Sequence, residues 1–94
     1  IANKKFRSRG IGTDTVMAVM KYAFEELQLN RLDGSIIKYN EASRKLYCDK
    51  CGWVVEGIRR KSSFKMKEYH DELLVGILRE EYFELIDRTM YWEK

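Results

Sequence analysis

The alternation of helical and strand patterns constrains the fold of this chain more than any other feature. Apolar residues spaced by three and four over residues 12–28 predict an amphipathic helix. The patterns that follow are strand 32–39, helix 40–50, strand 53–65 and strand 72–79. Alternating helices and strands predict an α/β layer with partly parallel pairing, and two final strands joined by a short turn predict an antiparallel hairpin. The expected fold class is therefore α/β, with a mixed sheet flanked by helices.

Single residues mark where these elements begin, bend and end. Thr13 or a neighbour is predicted to cap the first helix, and Gly52 to end the second. Gly57 is expected to mark a bulge or bend, and the polar residues 66–71 a turn. From Arg79 onward the spacing is helical again, which predicts a C-terminal helix.

The composition is that of one globular domain spanning residues 1–94. Hydrophobic residues make up 45% and aromatic residues 13% of the chain, which is too many for a disordered segment. No apolar run approaches the roughly 20 residues of a membrane span. Residues 1–15 lack the apolar stretch of a secretory signal, so we expect a cytoplasmic protein with no membrane partner. Because the chain opens with Ile1 on a basic, loop-like segment, we also expect residues upstream of it.

The formal net charge of +3 is mild, and the basic residues concentrate in two blocks, residues 4–9 and 59–67. Two such blocks could meet a polyanion, but the small anion of a nucleotide cofactor would suffice. No recognised nucleic-acid motif is present. The sequence therefore predicts no nucleic-acid partner. The opposite hypothesis, a small basic nucleic-acid binder, predicts steep salt dependence of polyanion binding.

Cys48 and Cys51 form a C-x-x-C pair, which raises the question of a metal or redox site. A zinc site needs about four ligands, and the chain offers one histidine, His70, and no second cysteine pair. A redox pair would open a helix after a strand, whereas this pair falls at the end of a predicted helix. We therefore expect no metal, and two small side chains that pack the helix end.

Residues 7–12 read R-S-R-G-I-G, an R-x-x-G-x-G segment that leads into the first helix. Glycines let the backbone approach an anion closely, and the helix N-terminus adds a partial positive charge. The segment is therefore either an anion cradle or a basic turn capped by glycines. A dinucleotide fingerprint fits less well, since it needs G-x-G-x-x-G after a complete strand, and no G-K-[ST] is present to make a P-loop.

Asn40 stands where a predicted strand ends and a helix begins. Its side chain can cap that helix, or present an amide to a ligand lying between two parallel strands. Tyr47 follows seven residues later, two turns along a regular helix and on the same face. Its hydroxyl could give a proton to a leaving thiolate, and the alternative is a half-buried aromatic side chain.

Three motifs in this order resemble those of the GNAT acetyltransferases. They are the R-x-x-G-x-G before a helix, the N-x-x-S-x-x-L-Y of residues 40–47, and the K-C-G-W of residues 50–53. The stretch V-E-G-I-R at 55–59, with Tyr69 and Asp71 ahead of an apolar strand, resembles the subgroup that acetylates ribosomal-protein N-termini. The resemblance covers about residues 1–83.

The resemblance implies a GNAT-like fold and an N-acetyltransferase that transfers acetyl from acetyl-CoA, its co-substrate, to a primary amine by direct attack. The amine would belong to a small molecule or a protein N-terminus. Tyr47 corresponds to the general acid that protonates the thiolate of coenzyme A. The residues implied in cofactor binding are Phe6, Arg7, Ser8, Arg9, Gly10, Ile11, Gly12, Thr13, Asn40, Ser43 and Arg44.

The chain departs from the family pattern in one respect. The family fold has a further N-terminal half, about three strands and one or two helices, and we expect these 94 residues to be the C-terminal part. No general base can be named, because Glu56, Asp71 and Glu72 are expected on a solvated face. An exposed sheet edge would favour pairing with another chain, so if these residues are the whole molecule we expect a homodimer or a strand swap, without full activity. The alternative function is a truncated, non-catalytic module that binds coenzyme A or dimerises.

Overall fold

The computed structural model describes residues 11–93, which form helices around a three-stranded sheet. Each of the first two helices widens into a π-helical segment. The elements are α1 (Ile11–Lys21) with its π-helical continuation Tyr22–Glu26, β1 (Arg31–Ile37), α2 (Glu41–Arg44) with its π-helical continuation Lys45–Lys50, β2 (Val54–Lys65), β3 (Glu68–Leu78), α3 (Arg79–Thr89) and a final 3₁₀ turn, Tyr91–Glu93. The α/β class predicted from the sequence is confirmed.

The sheet has the order β1-β3-β2, and both neighbouring pairs are antiparallel. The partly parallel pairing expected from the sequence is therefore not found among the described strands. β1 and β2 do run parallel, as a helical crossover requires, but β3 lies between them. In the apolar part of β3, Leu73, Val75 and Ile77 are buried on one face, whereas Leu74 and Leu78 on the other face are only half-buried.

The hairpin of β2 and β3 is longer than predicted. The sequence indicated a polar turn over 66–71, whereas the turn consists of Met66 and Lys67 alone and β3 begins at Glu68. Both turn residues have positive φ angles, 52° and 66°, as in the two-residue turns that match strand twist. The rings of Phe64 and Tyr69 lie opposite each other with centroids 4.9 Å apart, which extends the ladder toward the turn.

Two irregularities interrupt the pairing of β2 with β3. One falls between Val55 and Gly57, so the bulge predicted near Gly57 is confirmed. The other lies between Arg59 and Ser63, where three residues face a single residue of β3, Asp71. The carboxylate of Asp71 accepts a hydrogen bond from the backbone N–H of Lys61 at 2.9 Å, and this bond holds the second bulge in place.

The core lies on one face of the sheet, between the strands and the helices. Leu73, Val75 and Ile77 of β3 point to this face. Phe24 stacks on Tyr82 with ring centroids 5.4 Å apart, which joins α1 to α3. The other buried core residues are Met17, Met20, Ile36, Cys51, Trp53 and Leu85.

Gly52 ends the second helix, as the sequence predicted. Its φ of +78° lies in the left-handed region that favours glycine. Directly after it, the backbone N–H of Trp53 donates to the carbonyl of Tyr47 at 2.9 Å, which turns the chain into β2.

Candidate functional site

The predicted anion cradle lies mostly outside the described residues. This holds for Phe6, Arg7, Ser8, Arg9 and Gly10, and for the side chain of Ile11. The helix begins at Ile11, so Thr13 lies in its first turn rather than at its cap. Gly12 and Thr13 are partly buried there. α1 thus includes Ile11 and Gly12 of the R-x-x-G-x-G segment, and a helix start next to these glycines is the geometry on which the anion prediction depends.

Asp14 and Tyr91 join this first turn to the C-terminal end of the described chain. The Tyr91 hydroxyl donates to the Asp14 carboxylate. Burial first, and this carboxylate second, raise the pKa of Tyr91 to about 12. The phenol is therefore protonated at neutral pH and serves as a hydrogen-bond donor. Nothing in the local sequence of either residue predicted this contact, because 77 residues separate them.

Asn40 caps the second helix. Its side-chain oxygen accepts a hydrogen bond from the backbone N–H of Ser43 at 3.1 Å, which is the simpler of the two roles considered for it. The cap uses only the oxygen of the amide, and Asn40 is exposed, so the nitrogen still faces solvent. Ser43 is partly buried in the first turn that Asn40 caps.

Arg44 is held by two carboxylates of its own helix. Its Nε donates to Glu41 at 3.1 Å, and its Nη1 lies 3.5 Å from Asp49. The hydrogen bond with Glu41, followed by the charges of both acids, raises the pKa of the guanidinium. Arg44 therefore keeps its charge, but part of that charge is already balanced within the helix.

Tyr47 is half-buried, with its ring edge against Trp53 at a centroid distance of 5.1 Å. Trp53 is itself anchored to α1, since its Nε1–H donates to the sulfur of Met20 at 3.2 Å. These contacts connect Tyr47, the predicted acid, through Trp53 to α1. Tyr47 lies in the π-helical segment, where residues seven apart do not repeat on one face as they do in a regular helix. The prediction that Tyr47 and Asn40 share a helix face therefore does not follow.

The three acidic residues considered in the search for a general base all have structural partners. Glu56 forms an ion pair with Arg31, and Asp71 holds the second bulge. Glu72 accepts a hydrogen bond from Ser62 at 2.8 Å. The V-E-G-I-R stretch thus contributes an ion pair and a bulge. Among the described residues we name no general base, neither one of these three acids nor another side chain.

The C-x-x-C pair consists of two free thiols, of which Cys51 is fully buried and Cys48 half-buried. Burial raises the pKa of both, for Cys51 to about 11, so neither is an activated thiolate. Over residues 11–93 no three His, Cys, Asp or Glu side chains gather as metal ligands would. Within the same range no helix combines the length and the apolar character that a membrane crossing requires.

A sequence model of the acetyltransferase (GNAT) domain matches residues 1–54. The chain belongs to the GNAT acetyltransferase family. The matched range contains the three motifs on which the resemblance to the family was based, at residues 7–12, 40–47 and 50–53. Later strands and α3 lie beyond it, and their agreement with a GNAT fold comes from structural comparison.

Two curated relatives from Bacillus subtilis are similar to the chain. The SPbeta prophage-derived uncharacterized N-acetyltransferase YokL is 29% identical over 77 residues, which is 82% of this chain and 43% of YokL. YdaF, provisionally named a ribosomal N-acetyltransferase, is 33% identical over 79 residues, 84% of this chain and 43% of YdaF. The chain thus spans less than half the length of the relatives it matches.

Solved GNAT structures share the fold. Spermidine N-acetyltransferase from Vibrio cholerae, in complex with CoA and spermine, has a TM-score of 0.80 at 24% identity over 88% of this chain and 48% of its own. A GNAT acetyltransferase from Bacillus anthracis has a TM-score of 0.74 at 29% identity over 83% of this chain and 46% of its own. The arrangement of β1, β3 and β2 with their helices is therefore that of GNAT domains.

Proposed function

We propose that the chain is the cofactor-binding part of an N-acetyltransferase that moves an acetyl group from acetyl-CoA to a primary amine. The observation that carries the proposal is the family match over residues 1–54, because this range holds every residue predicted to touch the cofactor. The names of the two curated relatives described above, both N-acetyltransferases, support the same reaction. We further propose that the 94 residues form the C-terminal part of such an enzyme and act in the cytoplasm.

In this proposal the pyrophosphate of coenzyme A binds at the start of α1. Backbone N–H groups of the glycine segment and the helix dipole would meet its negative charge. The residues assigned to the cofactor remain those from Phe6 to Thr13, with Asn40, Ser43 and Arg44. The exposed amide nitrogen of Asn40 and the retained charge of Arg44 are compatible with this role.

Tyr47 is proposed as the acid that protonates the leaving thiolate. As the amine nitrogen attacks the thioester carbonyl, the carbon–sulfur bond breaks and the sulfur takes up the phenolic proton. The proton that the amine loses as its new bond to the acetyl carbon forms passes to solvent, and solvent returns a proton to the Tyr47 phenolate, so no proton is gained or lost overall. Contact with Trp53 restricts the ring of Tyr47, which favours a fixed direction for its hydroxyl.

The acceptor is proposed to be a primary amine, and within that class a protein N-terminus. YdaF supports this choice by its provisional name. The V-E-G-I-R stretch supports it less than the sequence suggested, because Glu56 is engaged with Arg31. A polyamine acceptor, as in the Vibrio cholerae enzyme, is the competing outcome of an acceptor panel.

Calorimetric titration of acetyl-CoA into the purified chain tests the cofactor assignment. Micromolar binding that disappears in Gly10→Trp and survives in Gly57→Ala supports a cradle at the start of α1. Gly57 is a suitable control because an added Cβ would meet only Leu74, at 3.7 Å. Equal binding in both variants contradicts the cradle, and acetyl-CoA binding without acetylation of any amine favours the alternative, a non-catalytic module.

The role of Tyr47 is tested in a preparation that acetylates an amine. Tyr47→Phe keeps the ring against Trp53 and removes only the hydroxyl. We expect unchanged acetyl-CoA binding and a turnover lower by 10²-fold or more, the usual contribution of a positioned acid. Unchanged turnover would exclude Tyr47 as the acid.

A further inference from the structure

The outer part of the β2–β3 hairpin carries large apolar side chains in solvent. We refer to residues 59–70 as the hairpin tip. Phe64 and Tyr69 are 58% and 61% exposed, and Met66 at the turn is 79% exposed. The two rings lie side by side rather than in the core. Exposed aromatic pairs of this kind are typical of surfaces that bind a partner.

Basic side chains surround these rings. Five of them lie in the hairpin tip, which contains one acidic residue, Glu68. Two further carboxylates directly after the tip, those of Asp71 and Glu72, bond to the backbone of Lys61 and the hydroxyl of Ser62. All five are exposed, and none forms an ion pair with another residue of the range 11–93. They are Arg59, Arg60, Lys61, Lys65 and Lys67. Their charge is therefore available to an anionic partner.

One shallow depression brings ring and charge together. Lys61, Glu68 and Tyr69 line it. The backbone of Lys61 is fixed there, with a φ of +51° and its N–H bonded to Asp71. The second bulge thus sets a lysine beside an exposed ring, and the carboxylate of Glu68 limits how strongly a phosphate would be attracted.

We propose that the hairpin tip is a docking surface for single-stranded nucleic acid. Bases would stack on Phe64 and Tyr69, and phosphates would meet the surrounding cations. Stacking on aromatic side chains within a positively charged surface is the general physical basis of such binding. The proposal goes beyond the acetyltransferase function. It also reverses the expectation of no nucleic-acid partner, because the sequence alone did not show that the two rings are exposed and in contact.

Two other occupants fit the tip less well. A second copy meeting the same surface in a two-fold contact would set two strongly basic tips against each other. An acidic protein segment would satisfy the charges but makes no particular use of two adjacent ring faces. Both occupants are outcomes of the test below.

The test is fluorescence anisotropy of a labelled oligouridylate of about a dozen nucleotides, a length within the usual site range. We expect binding at low salt that weakens as salt rises. Phe64→Ala and Tyr69→Ala should each weaken it about 5- to 150-fold, the range for one lost stack. Tyr22→Ala, which removes an aromatic side chain 59% exposed elsewhere, should leave it unchanged.

Charge variants and a second polyanion sharpen the result. Glu68→Gln should strengthen RNA binding, and Lys61→Gln should weaken it. Heparin, which has no bases, should bind Phe64→Ala as well as it binds the unchanged chain. RNA binding that is absent, or that ignores loss of the rings, overturns the proposal. The proposal is also overturned if polyglutamate competes with RNA as strongly as unlabelled RNA does, which indicates a protein partner. Self-association of the chain that Phe64→Ala abolishes would overturn it too, because it indicates a second copy.

Discussion

Arg31 and Glu56 meet across the central strand, directly above Gly76. Arg31 Nη1 donates to Glu56 Oε2 at 3.2 Å, and the two residues belong to β1 and β2 on either side of β3. A Cβ at Gly76 would lie 2.5 Å from Arg31 Nη2 and 2.7 Å from Glu56 Oε1. The missing side chain therefore makes room for the ion pair. Glu56, followed by Asp33, raises the pKa of the Arg31 guanidinium.

Gly76→Ala tests this arrangement. Alanine in a strand interior is favoured over glycine by about 0.5–1 kcal/mol, but here its Cβ displaces the bridging side chains. In the unchanged background we expect Gly76→Ala to raise the free energy of unfolding by less than this amount, or to lower it. When Glu56→Ala has already removed the bridge, we expect the full gain. Urea unfolding of the unchanged chain, the two single variants and the double variant measures the coupling between Gly76 and Glu56. Equal effects in both backgrounds would show that the bridge and Gly76 are independent.

Tyr82→Phe should destabilise the protein by about 1.5–3 kcal/mol, the range for a hydrogen bond to a charged group. The buried hydroxyl of Tyr82 donates to Glu25 at 2.7 Å and accepts from Trp92 Nε1 at 3.0 Å. The matched control is Tyr22→Phe, whose side chain is exposed. Denaturant unfolding that shifts equally in both variants would contradict the prediction.

The effect of Tyr82→Phe should also depend on pH. Hydrogen bonds from Tyr82, then from Lys21, lower the pKa of Glu25. A lowered carboxyl pKa adds stability that is present above the unfolded value of about 4.3 and is lost as the pH falls through the folded value. The stability difference between the unchanged chain and Tyr82→Phe should therefore shrink on acidification below about pH 4. A stability difference that stays constant below about pH 4 would show that the Tyr82 hydroxyl does not donate to a charged Glu25 carboxylate.

Asp14→Asn should lower the pKa of Tyr91 from about 12 toward the ordinary tyrosine value of about 10. Burial would keep part of the shift. A raised phenol pKa contributes stability that is complete below about pH 10 and is lost as the pH rises through the folded value. Tyrosinate absorbance measures the pKa, and subtraction of a Tyr91→Phe titration isolates this residue from the other tyrosines. An unchanged pKa would show that burial alone accounts for the shift.

Gly52→Ala should cost roughly 1–2 kcal/mol, because an L-residue is strained in the left-handed conformation that Gly52 adopts. Gly57→Ala is the matched control, since no positive φ is found there and its Cβ would make an ordinary contact with Leu74. Thermal unfolding should separate the two variants. Equal melting temperatures would contradict the role of Gly52 as the helix end.

The sequence predicted the local elements well and the long-range contacts poorly. Helical spacing located α1 and α3, and glycine located the end of the second helix, because these signals depend on residues a few positions apart. The start of β3 was placed too late, since Tyr69 extends the strand by pairing with Phe64 across the hairpin. The π-helical segments had no signal in the sequence pattern.

The candidate site divides in the same way. Asn40 at the start of a helix and Tyr47 within it were recognised from motif spacing, and the matched family range includes both. The link from Tyr47 through Trp53 to Met20 was not predicted, because Trp53 and Met20 are 33 residues apart. Glu56 lies on a solvated face, as expected, but its ion pair with Arg31 was not predicted.

By itself the sequence determined the order of helices and strands, their stop signals and the motifs of the family. Each of these is written within a few neighbouring residues. Tertiary structure alone decided that β3 lies between β1 and β2 and that Arg31 reaches Glu56 over Gly76. It also decided that Phe64 and Tyr69 remain in solvent. Such relationships depend on which apolar faces the whole chain can bury together, and that balance is set by contacts between residues far apart in sequence.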